Sequence, residues 1–401
     1  MKKFFIFSAF LISFLIYGLF VSQYNFLAVD TSLSSQNPEG YYDYRGVTHS
    51  HSDLSTGSRN QDEINHEAQK ANLDFLIHTE LNYFSQRTRT EGYFNKLLVL
   101  QADEFSYLDS HIIVYPADSK HHFSGLGETQ VFLADVLSKK SSEKNSDLIA
   151  LAHPFKDGST WSGEYPEGLN GVEVLNLKSI WQNAWRESKL SFLWSILIYP
   201  FNSRLALLRI YDAPERELQL WDKINSRFQS VGLLGNDATA RLSSIGKNFF
   251  RFPSYQESFS IASNHVLLGS ELTGDFESDR NKILHALNNG NFYLCMDLLG
   301  DPKGFIAEIK ANANSYLPGS TIRLKEQPWL YVKLPKTPRF PFEVQVFQNG
   351  KLMKTFNEPS ITMELTEKGS YRIAVRVIPT LPLPDGKRWF SWIFTNPFTV
   401  E

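Results

Sequence analysis

The chain has 401 residues, 42% of them hydrophobic and 21% charged. That is a globular composition: it excludes a disordered or collagen-like protein and suggests about two domains. Its 40 basic and 43 acidic residues leave a net charge of −3, which lacks the electrostatic footprint of a nucleic-acid-binding protein. A single cysteine, Cys295, excludes an internal disulfide and a thiolate metal cluster, so any metal site must draw on Asp, Glu and the ten histidines.

Lys2 and Lys3 precede an almost unbroken apolar run over residues 4–21. A cleaved signal peptide has a shorter apolar core, about 7–15 residues, and a small-residue cleavage site. An uncleaved span needs about 17–25 apolar residues. Residues 1–22 therefore read as a membrane anchor, with a cleaved signal segment as the alternative. The leading lysines put the rest of the chain on the non-cytoplasmic side, periplasmic or extracellular. Residues 23–40 close on TSLSSQNPEG and read as a linker.

Over residues 41–303, short apolar β-rich runs alternate with helix-like segments. Strands are expected at 46–49, 75–79, 97–101, 112–115, 148–152, 172–175 and 231–234, with amphipathic stretches at 61–71 and 130–139. This alternation predicts an α/β barrel or a doubly wound sheet. Residues 190–211 are strongly apolar and interrupted by Pro200; they read as a pair of packing helices or as a membrane-facing or lid surface. Residues 304–401 hold ten of the eighteen prolines and no histidine. There, 342–348, Asn349-Gly350 and 351–356 predict a β-hairpin, because Asn-Gly supplies the positive φ values of a type I′ turn. About seven short strands in this stretch predict a small Ig-like β-sandwich.

Four motifs carry metal-binding side chains. In Thr48-His49-Ser50-His51, an extended chain turns His49 and His51 to one side. A run from Val99 leads to Glu104, whose two carboxylate oxygens can bridge two cations, and His111 follows. An apolar run from Leu148 ends in His153-Pro154, and another from Val231 ends in Asp237. Working residues of barrel enzymes sit at the C-terminal ends of several strands, and here such ends carry His, Glu, His and Asp. His111 departs from the pattern, since it opens its apolar run instead of closing it.

In order and spacing these motifs resemble the PHP family, the polymerase and histidinol phosphatase metal-dependent hydrolases. The matching elements are His49-Ser50-His51, Glu104, His111, His153-Pro154 and Gly235-Asn236-Asp237-Ala238-Thr239. The anchored layout, with Tyr371-Arg372-Ile373 and Thr395-Asn396-Pro397-Phe398 near the end, resembles the CehA/McbA-like branch. The resemblance implies a distorted (β/α)7 barrel with its metal centre at the strand C-termini. It also implies two divalent ions (Zn, Mn or Fe), one held by His49, His51, Glu104 and Asp237, the other by Glu104, His111 and His153. A third site known in trinuclear members lacks its ligands here: the corresponding positions are Thr56-Gly57, Leu81 and Thr239. His78, three residues from Leu81, points to the opposite face of an extended strand and does not replace it.

The expected function is a metal-dependent hydrolase, phosphoesterase-like, with a small-molecule substrate and a metal-bridging hydroxide as nucleophile. Hydrolysis of a carbamate, ester or amide is an alternative. So is a degenerate, non-catalytic surface module, which the missing third site suggests. Arg241, just beyond Asp237, is the candidate for binding an anionic substrate. Glu80 is a candidate general acid or a supporting carboxylate, and Glu173 and Asn176 are candidate pocket residues. His66 and His285 read as helix-surface residues and His121-His122 as an exposed loop. The sequence leaves the oligomeric state open, and no nucleic-acid partner is expected.

Overall fold

The computed structural model describes residues 2–29, 40–85, 90–117, 123–140, 147–241 and 252–401. Most of the expected linker, and His121-His122, lie outside these residues. The apolar N-terminal run forms one helix, α1 (Lys2–Ser22), long and apolar enough to cross a membrane. Its C-terminal half packs on the protein. Gly18 meets the Phe201 ring so closely that a Cβ would lie 2.5 Å from it, and Asn202 Nδ2 donates to the Val21 carbonyl at 2.9 Å.

The next segments, in chain order, are β1 (Tyr42–Val47), α2 (Gln61–Lys70), β2 (Phe75–Leu81), β3 (Gly92–Phe94), β4 (Leu97–Tyr107), β5 (Ser110–Tyr115), α3 (Leu126–Ser138), β6 (Leu148–Leu151) and β7 (Gly171–Asn176). Then come α4 (Leu177–Glu187), α5 (Lys189–Ile198), α6 (Ser203–Arg209), α7 (Glu215–Asn225), β8 (Val231–Gly235), α8 (Tyr255–Ile261), β9 (Ser263–Leu268), α9 (Phe276–Asn289) and β10 (Phe292–Cys295). The helices begin where the sequence offers caps. Asn60 and Ser254 form capping boxes with Glu63 and Glu257, and Asn176, Asn202 and Asp275 cap α4, α6 and α9.

These strands belong to one mixed sheet, in the order β10-β9-β1-β2-β4-β5-β6-β7-β8. β1, β2 and β4 run parallel, as do β6, β7 and β8, whereas β5 is antiparallel to both neighbours. β6, β7, β8 and β9 are buried along their whole length, the pattern of strands covered on both faces. Among the described residues the ladder does not close. β8 and β1 are linked beyond their ends by one parallel bridge, Ser50↔Ala238. Across the gap, Asn264 of β9 accepts from Leu234 N (3.0 Å) and donates to Leu234 O (2.9 Å) and Thr48 Oγ1 (3.1 Å). In place of the expected closed barrel there is a mixed, open sheet in which β8 is fastened to β1 and β9 by one bridge and the Asn264 side chain.

The C-terminal segment continues that sheet through β10. Its strands are β11 (Ile306–Ala311), β12 (Asn314–Tyr316), β13 (Thr321–Ile322), β14 (Trp329–Lys333), β15 (Phe342–Gln348) and β16 (Lys351–Phe356). They are followed by β17 (Ser360–Glu364), β18 (Gly369–Val377), β19 (Thr380–Leu381), β20 (Gly386–Lys387), β21 (Phe390–Thr395) and β22 (Phe398–Val400). The order β13-β22-β18-β21 abuts β10, with the β15–β16 hairpin on β18, and β12-β11-β14-β17 form a second sheet. The hairpin falls where Asn-Gly predicts it, with positive φ at Asn349 and Gly350. β9 and β10, which join the two sets of strands, are not anticipated from the sequence.

Candidate metal centre

The parallel strands bring their C-terminal ends to one edge of the sheet. His49 and His51 follow β1, Glu104 lies within β4, Glu173 and Asn176 lie on β7, and His153 and Asp237 follow β6 and β8. His111 lies near the start of β5. Because β5 runs against its neighbours, its start shares the edge where theirs end, which accounts for the departure seen in the sequence. His153 and Asp237 both have left-handed backbone, with φ of 28° and 45°. That conformation is uncommon outside glycine but is enriched at both aspartate and histidine, and it aims both side chains across the strand ends.

All six expected ligands converge. Glu104 divides its oxygens between two groups. Oε2 lies 3.6 Å from His49 Nε2 and 3.2 Å from His51 Nε2. Oε1 lies 2.8 Å from His111 Nδ1 and 3.2 Å from His153 Nε2. Asp237 Oδ1 closes the first group, 3.3 Å from His51 Nε2 and 4.0 Å from His49 Nε2. Two clusters, His49-His51-Asp237 and Glu104-His111-His153, could each hold a metal ion.

These donors suit a divalent cation. The Nε2 atoms of His49 and His51 face each other at 3.0 Å, and His153 Nδ1 is buried without a hydrogen-bond partner. Imidazole and carboxylate together suit Zn, Mn or Fe. Electrostatics also call for positive charge. Burial opposes a charged His49, but Glu173 and Glu104 outweigh it and raise its pKa to about 10. Burial likewise opposes ionisation of Glu104 and Asp237, yet His49, His111 and His153 around the first, and Lys178 and Lys156 around the second, hold both well below the usual carboxylate range.

The surrounding groups orient the ligands. Glu173, ionised despite burial because His49 faces it, accepts from His49 Nδ1 at 2.6 Å and leaves Nε2 turned to the centre. Its other oxygen takes His153 N–H and Asn176 Nδ2, each at 2.9 Å. Tyr115 Oη donates to Thr48 O at 3.0 Å.

Two lysines were not anticipated. Lys156 Nζ lies 2.9 Å from Asp237 Oδ2 and Lys178 Nζ 3.0 Å from Oδ1. Lys156 follows His153 through a turn and Lys178 opens α4 after β7. No spacing rule marks either one, although both stand just past a strand that ends at the centre.

Glu80 is spent on the loop after His51. It accepts from Ser52 N (3.0 Å), Ser55 Oγ (2.5 Å) and Gln61 Nε2 (3.3 Å). Burial raises its pKa, but the Ser52 and Ser55 bonds outweigh this and lower it overall. Arg241 donates to Thr56 O at 3.1 Å. At the positions without third-site ligands, Tyr255 Oη bridges His51 O (2.7 Å) and Thr239 O (3.2 Å), and a Cβ on Gly57 would fall 2.1 Å from His51 O. His78 is a core residue held by Asn65 at 3.0 Å, and burial keeps it neutral with a pKa of about 4. His66 and His285 are exposed.

A second buried cluster lies elsewhere in the sheet. His265 on β9 sits between Asp43 (2.7 Å) and Asp297 (3.0 Å), and Arg45 pairs with Asp297 at 2.9 Å. Each nitrogen of this ring already has a carboxylate, so the cluster is internally satisfied.

No protein-family model and no curated protein matches the sequence. Among solved structures, a two-domain protein of Bacteroides vulgatus containing a predicted PHP-like metal-dependent phosphoesterase is similar, at 13% identity and a TM-score of 0.35. The match covers 90% of this chain and 99% of that one.

Proposed function

We propose that this protein is a metal-dependent hydrolase with a binuclear centre, acting on phosphoesters, and that it belongs to the PHP superfamily in a CehA/McbA-like form. The observation that carries this reading is the division of Glu104, with one oxygen turned to His49 and His51 and the other to His111 and His153. A carboxylate so placed joins two cation sites. His49, His51, Glu104 and Asp237 would hold one ion, and Glu104, His111 and His153 the other. Such ions supply Lewis acidity and lower the pKa of water toward neutrality.

The chain's own residues do the rest. Glu173 keeps the proton of His49 on Nδ1, and Asn176 keeps Glu173 in place. Lys156 and Lys178 bind anionic oxygens of the substrate. Arg241 stands at the approach, and Glu80 steadies the Ser52–Ser55 loop beneath His51. In this reading residues 41–303 form a distorted (β/α)7 hydrolase domain and 304–401 an Ig-like domain. α1 is an anchor that leaves both on the non-cytoplasmic side.

Metal quantification on the purified full chain, together with hydrolysis of p-nitrophenyl phosphate and bis(p-nitrophenyl) phosphate, tests the proposal. Two equivalents of metal and turnover that is lost in Glu104→Gln support it. A metal-free protein whose stability is unchanged by chelator overturns it.

A further inference from the structure

Beside Lys178 the site opens into a pocket of about 560 Å³. Lys178 and Arg241 form its polar end, and Trp181, Trp185, Leu193, Ile196 and Phe252 its walls. Lys178 belongs to both spaces, because its ammonium also bonds Asp237 Oδ1 at 3.0 Å. A ligand whose anionic group meets Lys178 therefore has its remainder directed along aromatic and aliphatic surface. A small polar ester would leave that surface unused.

The wall contributed by α5 is apolar on its outer side as well. Leu190, Leu193 and Leu197 are 85%, 45% and 52% exposed, and Trp185, at the end of α4, is 44% exposed. Lys189 is the only charged residue of α5. Contiguous exposure of this kind marks an interaction surface, and its neighbour indicates which kind. Trp194 of α5 packs on α1, with ring centroids 6.1 Å from Phe14 and 5.6 Å from Tyr17. Phe14 precedes Val21 by roughly two helical turns, about 10 Å along the axis. If the apolar run of α1 crosses a bilayer as far as Val21, α5 lies at the depth of an interfacial helix, roughly 5–10 Å into the headgroup–acyl boundary.

We propose that the substrate is a membrane lipid: an anionic phosphoester whose hydrocarbon chain leaves the bilayer along α5 and lies in this pocket, with its phosphate oxygens on Lys178 and Lys156. The proposal rests on the hydrolase reading for its chemistry. A P–O bond to the lipid oxygen breaks, and water supplies OH to phosphorus and a proton to the departing lipid oxygen. The occupancy of the pocket can be read without any turnover.

The test uses the full chain in phosphatidylcholine vesicles containing phosphatidic acid with a diazirine on one acyl chain. Photolabel on Trp181, Trp185 or Phe252, displaced by unlabelled phosphatidic acid and not by added phosphatidylcholine, is the expected result. Label confined to α1 and the outer face of α5, displaced equally by either lipid, overturns the lipid pocket. In a second arm the metal-loaded protein hydrolyses long-chain phosphatidic acid with a kcat/KM at least about tenfold above that for p-nitrophenyl phosphate. Leu193→Asp, at a half-exposed position that tolerates charge, lowers this ratio by about tenfold. Equal rates on the two substrates, with the label absent from the pocket, overturn the lipid proposal and leave the hydrolase standing. Pocket labelling with no turnover of either substrate overturns the hydrolase reading and with it the lipid's role as substrate, and leaves the pocket as a lipid-binding site.

Discussion

His49 and Glu173 are fully buried and joined from Nδ1 to Oε1 at 2.6 Å. An ionised carboxylate can only accept, so a proton is held on Nδ1, and Nε2, which faces His51 and Glu104, is the nitrogen that gives up its proton to a cation. Partners of this kind set ring orientation and basicity of a metal-binding histidine, and their loss costs about 10–100-fold in metal affinity. Glu173→Gln should lose that much, measured by titration against a competing chelator. Wild-type affinity in the variant would make Glu173 a packing residue only.

Lys178 makes a second prediction. With cations bound, Asp237 has less need of two ammonium groups, and Lys178 becomes free for a substrate oxygen. A charged hydrogen bond contributes about 1.5–3 kcal/mol, so Lys178→Met should lower kcat/KM for an anionic phosphoester by about 10–100-fold. Metal content should hold at two equivalents. Loss of metal, with kcat/KM unchanged once metal is restored to two equivalents, would mean that Lys178 serves to balance Asp237.

Asn264 provides a stability test. Its amide takes both backbone groups of Leu234 in a region with almost no ladder pairing between β8 and β1. Asn264→Ala leaves the buried Leu234 N–H unpaired, at about 1–3 kcal/mol, while the Leu234 carbonyl keeps its bond from Thr48 Oγ1 at 3.1 Å. Urea denaturation should show a loss of about 1–3 kcal/mol. Because Asp237 stands just beyond Leu234, metal affinity should fall as well.

The His265 cluster predicts a pH dependence. Burial lowers the pKa of His265, but Asp43 and Asp297 outweigh it and raise it from 6.5 to about 9. Tyr293 and Arg45, which bond Asp43 and Asp297, and Cys295 nearby complete its surroundings. The folded protein thus holds a proton that the unfolded chain has released above pH 6.5. The stability it contributes is fully present below that pH and is lost as pH rises through about 9. The melting temperature should decline across this interval. His265→Gln should be less stable near pH 6 and show a flatter profile, and parallel profiles for the two proteins would exclude the linkage.

Much of the site was legible because its motifs are local. H-x-H, the apolar runs that end in His153 and Asp237, and the run into Glu104 each declare a strand and the group beyond it. The Asn-Gly hairpin declares itself in the same way, through the positive φ at two adjacent residues. Residues 190–211 were legible only as alternatives, and they form two helices that differ in exposure. α6 is largely buried, whereas α5 leaves leucines exposed.

Other features have no local signature. Lys156 and Lys178 reach Asp237 across separations of 81 and 59 residues. His265 meets Asp43 across 222. β9, half of it polar, and β10 are short segments whose role as the join between two sets of strands exists only once both sets are folded.

The sequence alone determined the strands that lead into the site, which apolar run can enter a membrane, and which side chains stand at those strand ends, because these follow from periodicity and residue chemistry along the chain. The tertiary structure decided strand direction, and with it the place of His111. It also decided which oxygen of Glu104 faces which histidines, and which lysines arrive beside Asp237. Those relations are set by pairing and packing between distant segments, for which a linear pattern carries no address.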